Sequence, residues 1–312
     1  MLFRSEPEAH LHPQLQTRVM ELLESKAVAE GGAIQILLTT HSPNLAAHAP
    51  VENLIMVTPG AAFSLKKGAT LLDDNDYLFL RRFLDVTKAN LLFARGVLIV
   101  EGDAEAILLP TLADKLGLSF SKHGVSIVNV GHRGLHRYSR IFRRQDGTPG
   151  PVPVACLVDR DIPVDEARSV LNPDDDADGR RTAQDFDAGT LAAHEAALRA
   201  PTGESVQAFI SPSWTFEFDM ARHGQHTLIN RAIFLARRQD RRLTALTAAE
   251  TQTVIADADA RLQELQDQAV SEDERAWRIC RPVLTGGVSK AITAQFAASR
   301  SEERRVGKHC RS

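Results

Sequence analysis

Apolar residues recur at helical spacing from Gln14 to Glu30, where Leu15, Val19, Leu22 and Leu23 share a face. Gly31-Gly32 ends that helix, and Ile34 to Thr40 (IQILLTT) reads as a buried strand. Leu54 to Thr58 predicts a second short strand, with Pro59-Gly60 turning the chain into a hairpin return at Phe63-Ser64-Leu65. Asp73-Asp74-Asn75-Asp76 is a polar break. Tyr77 to Ala94 (YLFLRRFLDVTKANLLFA) then reads as a connecting helix.

From Val97 the rhythm changes. Val97 to Val100, Val125 to Val130, Val154 to Asp159 and Val206 to Ile210 are short apolar runs. The first two are followed by helical patterns, Ala104 to about Leu116 and the basic Leu135 to Arg144. Strands alternating with helices predict a parallel sheet covered on both faces, with ligands outside the carboxyl ends of its strands. Glu101, Gly131 and Asp159 fall at such ends. The stretch from about His223 to Ser299 reads as mainly helical, Ser289 to Ala298 being a closing helix. The last dozen residues offer almost nothing to bury and are expected to be disordered.

The chain has 312 residues, 43% hydrophobic and 25% charged, enough for one large domain or two smaller ones. With 37 Lys and Arg against 40 Asp and Glu the net charge is -3, which excludes coating nucleic acid by bulk charge. Contact with DNA must come from local patches or metal ions. Cys156, Cys280 and Cys310 are too few and scattered for a disulfide framework or a zinc knuckle and suit free thiols in a reducing cytoplasm. There is no run of 18 apolar residues and no secretory pattern, so a cytoplasmic protein without membrane association is expected.

The strongest chemical signal is acidic. Glu101 ends one strand, and Glu105 follows in the first turn of the next helix, where both can point the same way. Asp159 and Asp161 end another strand, and i and i+2 share a face if the backbone is extended. Four carboxylates converging at one sheet edge repel one another unless a cation sits between them. Oxygen-only ligands suit Mg²⁺ or Mn²⁺, as one ion or two, for work on a phosphodiester. Arg133, Arg137, Arg140 and Arg144 can form one stripe at helical spacing and draw in a phosphate backbone. Arg237-Arg238-Gln239-Asp240-Arg241-Arg242 is a second basic segment, read as a solvated helix face. Asp174, Asp176, Asp178, Gly179 and Asp185 imitate an EF-hand loop, but Asp185 replaces the bidentate Glu and Arg181 fills an aliphatic position, so a loop is expected.

Val97-Leu98-Ile99-Val100-Glu101-Gly102, the glycine after the second strand and Asp159-Arg160-Asp161 together resemble a Toprim domain, the metal-dependent fold of topoisomerases, primases and several nucleases. Glu-Gly-Asp-Ala-Glu at 101–105, preceded by Phe83 to Ala94, is similar to the OLD (overcoming lysogenization defect) nucleases, in which an ABC-type ATPase precedes the Toprim domain. The resemblance implies an α/β fold: a Toprim-type central parallel sheet flanked by helices, with a helical insert, preceded by a partial ABC ATPase segment. The expected division is 1–75 ATPase, 76–94 connecting helix, 95–222 Toprim core, 223–275 insert, 276–299 closing segment and 300–312 tail. Glu217 is implied as a further metal-binding acid, with Asp219 its rival, and Lys290 as the lysine facing the scissile phosphate.

Ser5-Glu6-Pro7-Glu8-Ala9-His10-Leu11-His12-Pro13 resembles the end of a Walker B strand, with Glu6 as the glutamate that polarises water. His41, in Thr39-Thr40-His41-Ser42-Pro43, looks like the switch histidine that senses a γ-phosphate. No G-x-x-x-x-G-K-[ST] loop is present and Ser5 replaces the usual aspartate, so the chain is expected to be the C-terminal part of a longer protein, with ATP a ligand only of that parent. The family also implies a homodimer through the ATPase part. The expected activity is metal-dependent nicking or cutting of double-stranded DNA. A noncatalytic metal-binding or DNA-binding module of an ATPase is the alternative, as is another Toprim enzyme of topoisomerase or primase type, although only Tyr77 and Tyr138 could serve as a topoisomerase nucleophile.

Overall fold

The computed structural model describes residues 2–29, 35–131, 134–170, 181–240, 242–268 and 270–309. β1 (Leu2–Ser5) is followed by α1 (Pro13–Ala29), which starts on a proline whose missing N–H costs nothing at a helix entry. β2 (Ile36–Thr39) pairs in parallel with β1, Ser5 opposite Thr39. After α2 (Pro43–His48), β3 (Ile55–Thr58) and β4 (Ala61–Ser64) form the expected antiparallel hairpin. Its turn needs Gly60, at φ +81.

The expected polar break and connecting helix are corrected. Asp73 is the N-cap of α3 (Asp74–Phe83): its carboxylate accepts the Asp76 N–H, and the Asp76 side chain accepts the Asp73 N–H. That reciprocal cap makes the acidic run a helix start. The helix stops at Leu84, and Asp85 caps a separate short helix, α4 (Val86–Ala89), so Tyr77 to Ala94 is not one helix.

β5 (Gly96–Val100), α5 (Asp103–Lys115), α6 (Phe120–His123), β6 (Val125–Asn129), α7 (Leu135–Arg140), β7 (Val154–Val158), α8 (Ala188–Arg199) and β8 (Val206–Ile210) follow. The four strands form one parallel sheet in the order β6-β5-β7-β8, with Val97 beside Val154 and Ile99 beside Cys156. α8, capped by Asp187, was not anticipated. Asp174, Asp176, Asp178 and Gly179 lie outside the described residues, and the Asp185 carboxylate is engaged by Thr182 and Arg168.

The remainder is helical: α9 (Phe216–Met220), α10 (His226–Gln239), α11 (Ala248–Asp267), α12 (Glu272–Leu284) and α13 (Lys290–His309). The expected disordered tail is corrected, since α13 continues to His309; Ala294, Ala297, Ala298 and Ser301 are buried and anchor it. Cys310 to Ser312 lie outside the described residues.

The chain divides into two compact units. One comprises Met1–Ile99, Ser121–Cys156 and Pro201–Gln207; the other comprises Val100–Phe120, Leu157–Ala200 and Ala208–Ser312. In the first, Leu65, Leu80, Tyr138 and Phe142 are fully buried, and the hydroxyls of Tyr77 and Tyr138 donate to the carbonyls of Leu65 and Phe83. In the second, Trp214, Phe218, Ile233, Trp277 and Cys280 form the main core. A second cluster there, with Ala104, Ala232, Ala294 and Ala298, uses small side chains so that α5, α10 and α13 can approach closely.

Candidate metal centre

Glu101, Glu105, Asp159, Asp161, Glu217 and Lys290 all belong to the second unit. Glu101 leaves the end of β5. Gly102 then caps α5, and the Glu105 side chain folds back so closely that a Cβ on residue 102 would lie 2.6 Å from Glu105 Oε2. A side chain at 102 would push the Glu105 carboxylate out of this position. Asp159 follows β7; its Oδ1 accepts the Phe216 N–H at 2.9 Å and the Ser211 hydroxyl at 3.2 Å. Arg160 turns away to the Pro212 carbonyl and Glu195.

Asp161 departs from the expected geometry. Its φ of 56 is left-handed, so the Asp159-Arg160-Asp161 triplet is not extended and the shared-face argument fails. Asp161 still reaches the site electrostatically: burial pushes Glu101 up to about 7, and the charges of Asp161, Asp159 and Glu105 add to the rise.

Glu217 sits in α9, which Thr215 caps. Its Oε2 accepts the Thr215 hydroxyl at 3.1 Å and lies 3.3 Å from Lys290 Nζ; its backbone carbonyl accepts the buried Cys280 thiol at 3.6 Å. Burial pushes Asp159 up to about 7 against the opposing charge of Lys290, with Glu217 and Glu105 adding to the rise. Burial raises Glu105 as well, opposed by its own backbone N–H. Burial pulls Lys290 down, but the charges of Glu217 and Asp159 outweigh it and hold the ammonium above the ordinary lysine value. Glu217 and Asp219 are both buried. Asp219 Oδ2 accepts the Ser213 N–H, which makes it a buttress of the 211–215 turn.

Glu105 Oε2 and Glu217 Oε1 are buried without a hydrogen-bond partner among the described residues, and the donor set is all oxygen, as Mg²⁺ or Mn²⁺ prefers. The chemistry fits. As placed, however, no three His, Cys, Asp or Glu side chains among the described residues stand close enough together to hold a metal ion. Lys290 is the cation facing Glu217.

The raised carboxyls give a pH prediction. A carboxyl whose folded pKa lies near 7 binds more protons in the folded than in the unfolded chain between about pH 4 and 7. Its contribution to stability is complete below the unfolded pKa and is lost as pH rises through 7. In metal-free buffer, Glu101→Gln should therefore melt at the parent's temperature near pH 4 and a few degrees above it at pH 8. A difference that shrinks as pH rises would contradict the assignment.

In the first unit, Glu6 and His41 follow the paired strands β1 and β2, with His41 Nε2 3.9 Å from Glu6 Oε1 and both side chains exposed. The sequence did not single out Glu8. Its buried carboxylate accepts the Thr40 hydroxyl and the His41 N–H, fixing the turn that presents His41.

The arginine stripe is corrected. Arg133 lies outside the described residues, and α7 ends at Arg140, before Arg144. Arg137 and Arg140 lie 3.3 and 2.7 Å from the buried Asp76 carboxylate, and Arg137 stacks over Phe79. Arg144 donates to the Ser64 carbonyl and pairs with Asp146. The Arg137 and Arg140 guanidinium groups thus pair with the acids that open α3, while Arg144 pairs elsewhere. Complementary charge 60 residues away leaves no local sequence signal.

Residues 92–161 match the family model "Overcoming lysogenization defect protein-like, TOPRIM domain", and residues 6–47 match "AAA domain, putative AbiEii toxin, Type IV TA system". Glu217 and Lys290 lie beyond both matches. The uncharacterized protein YbjD of Escherichia coli K12 is 26% identical over 146 residues, 46% of this chain and 25% of that protein. The OLD nuclease of Thermus scotoductus SA-01 is 27% identical over 171 residues, 52% of this chain and 31% of that protein. The chain thus spans about a quarter to a third of the curated relatives it matches. Among solved structures, the C-terminal region of the Burkholderia pseudomallei OLD protein is 20% identical, with 66% of this chain and 88% of that one covered at a TM-score of 0.35. For the C-terminal region of the Xanthomonas campestris pv. campestris OLD protein the values are 21%, 66%, 86% and 0.34. Residues 92–161 thus match an OLD-like Toprim domain, with ATPase-type sequence ahead of it at 6–47.

Proposed function

We propose that this chain is a metal-dependent endodeoxyribonuclease that hydrolyses phosphodiester bonds of double-stranded DNA at the cluster around Glu101, Asp159 and Glu217. One observation carries the reading: several buried or half-buried carboxylates, two of them with partnerless oxygens, are coupled by charge around a single lysine. Such a group of anions is unfavourable without further positive charge. Mg²⁺ or Mn²⁺ held by Glu101, Glu105, Asp159, Asp161 and Glu217 would neutralise phosphoryl charge and activate water.

The chain's own residues divide the remaining work. The Phe216 N–H and Ser211 hydroxyl fix Asp159 through one oxygen and leave the other for a ligand. Lys290, half exposed at the start of α13, is available to a phosphoryl oxygen and stays protonated at neutral pH. Without metal Glu101 is pushed up to about 7, and a bound dication would hold it ionised as a ligand. Glu6 and His41 would serve ATP only where a phosphate-binding loop is also supplied.

The test is supercoiled plasmid incubated with the protein in Mg²⁺, Mn²⁺ or EDTA. Nicked or linear product with either metal and none in EDTA supports the reading. Intact plasmid under every condition favours the second reading, a noncatalytic module of an ATPase. That alternative draws on the lack of any ready-made metal-holding trio among the described residues.

A further inference from the structure

The second unit contains a cavity of about 580 Å³, lined by α13, the end of α10 and the start of α11 with the turn before it. We propose that this cavity binds a phosphate ester of nucleotide size. Its volume falls within the range of small-molecule sites. Arg242 and Arg300 line it together with Gln239, Gln295 and Ser299, over an apolar surface that includes Phe296, and no carboxylate belongs to the lining. Guanidinium groups beside neutral donors recognise a phosphate, and the apolar part of the lining accepts a base or sugar.

The wall is built in advance. Arg242 Nη1 donates to Glu250 Oε1 at 2.9 Å, and Glu250 is itself fixed as part of the Thr247 capping box of α11. The Gln239 amide donates to the carbonyls of Arg242 and Thr244, holding the turn that carries the arginine. Arg237 and Arg238, exposed in the last turn of α10, make no ion pair among the described residues and add positive field. Gln239 and Arg242 come from the basic segment first read as a solvated face; Arg241 lies outside the described residues.

The cavity is separate from the metal centre. Its α13 residues, Ile292, Gln295, Phe296, Ser299 and Arg300, form one helical stripe. Ala294, Ala297 and Ser301 occupy the buried face, and Lys290 lies in line with them at 3.6 residues per turn.

Two sources can supply the phosphate: a free mononucleotide or the backbone of DNA. The full chain is titrated in EDTA with dAMP and, separately, with a 20-base-pair duplex, beside Gln295→Glu and the double variant Gln295→Glu/Ser299→Glu. Both positions are exposed on α13, so folding is expected to survive, which melting curves check. At least tenfold weaker dAMP binding in the double variant identifies a nucleotide site. Weaker duplex binding, with a salt slope reduced by about 1, and no dAMP binding by the parent identify a DNA-backbone site. Unchanged affinity for both probes overturns the proposal, as does dAMP binding lost only on His41→Ala. Without metal, none of these outcomes depends on cleavage, so the nuclease reading stands or falls separately.

Discussion

Glu101→Ala is expected to cut plasmid on the order of a hundredfold or more slowly than the parent, the loss typical when one preorganised charge-stabilising group is removed. The same substitution should make the metal-free protein more stable. Burial and the charges of Asp161, Asp159 and Glu105 all disfavour the ionised Glu101 side chain, so deleting it relieves repulsion at pH 8. In the parent, a dication at a hundred times its dissociation constant adds about 2.7 kcal/mol of stability. For 312 residues that is a rise in melting temperature of about 4 °C. The variant should melt higher than the parent in EDTA and respond less to Mn²⁺. A variant that cuts as fast as the parent would show that the site is wrongly assigned or that the activity is a contaminant's.

The second large effect lies away from the carboxylates. Trp277→Ala should cost about 3–5 kcal/mol of stability, as for other buried Trp truncations. Trp277 is 4% exposed and its ring lies 5.6 Å from Trp214, which in turn lies 5.7 Å from Phe218. Phe218 follows Glu217 in α9, and Cys280, one turn after Trp277, donates to the Glu217 carbonyl. The indole therefore supports the wall that presents Glu217. Thermal denaturation with and without Mn²⁺ should show a lower melting temperature and a smaller metal response. Loss of stability with an undiminished metal response would mean that α9 is positioned independently of this core.

Which of these features the chain announces follows from where their causes lie. An apolar run ending in an acid is a local signal, and it placed Glu101 and Asp159 at strand ends. Asp161 was misjudged because extended alternation was assumed where the backbone turns left-handed. The acids at 73–76 read as a break because a reciprocal cap and a loop share their composition; only the hydrogen bonds distinguish them. That Arg137 and Arg140 pair with Asp76 gave no signal because that partner is distant in sequence. Ser211 and Thr215 had no signal beyond an ordinary polar turn, yet they orient Asp159 and Glu217. The wall contributed by Gln239 and Arg242 needed three helices to meet before a solvated face could become a cavity.

The account rests on a dication drawing these carboxylates together, and a crystal soaked in Mn²⁺ and measured at the manganese absorption edge tests that most directly. The predicted result is an anomalous peak at bonding distance from oxygens of at least three of Glu101, Glu105, Asp159, Asp161 and Glu217, with Lys290 moved off Glu217. Full soaking that leaves the Lys290–Glu217 pair intact and puts no manganese among those five side chains would contradict it.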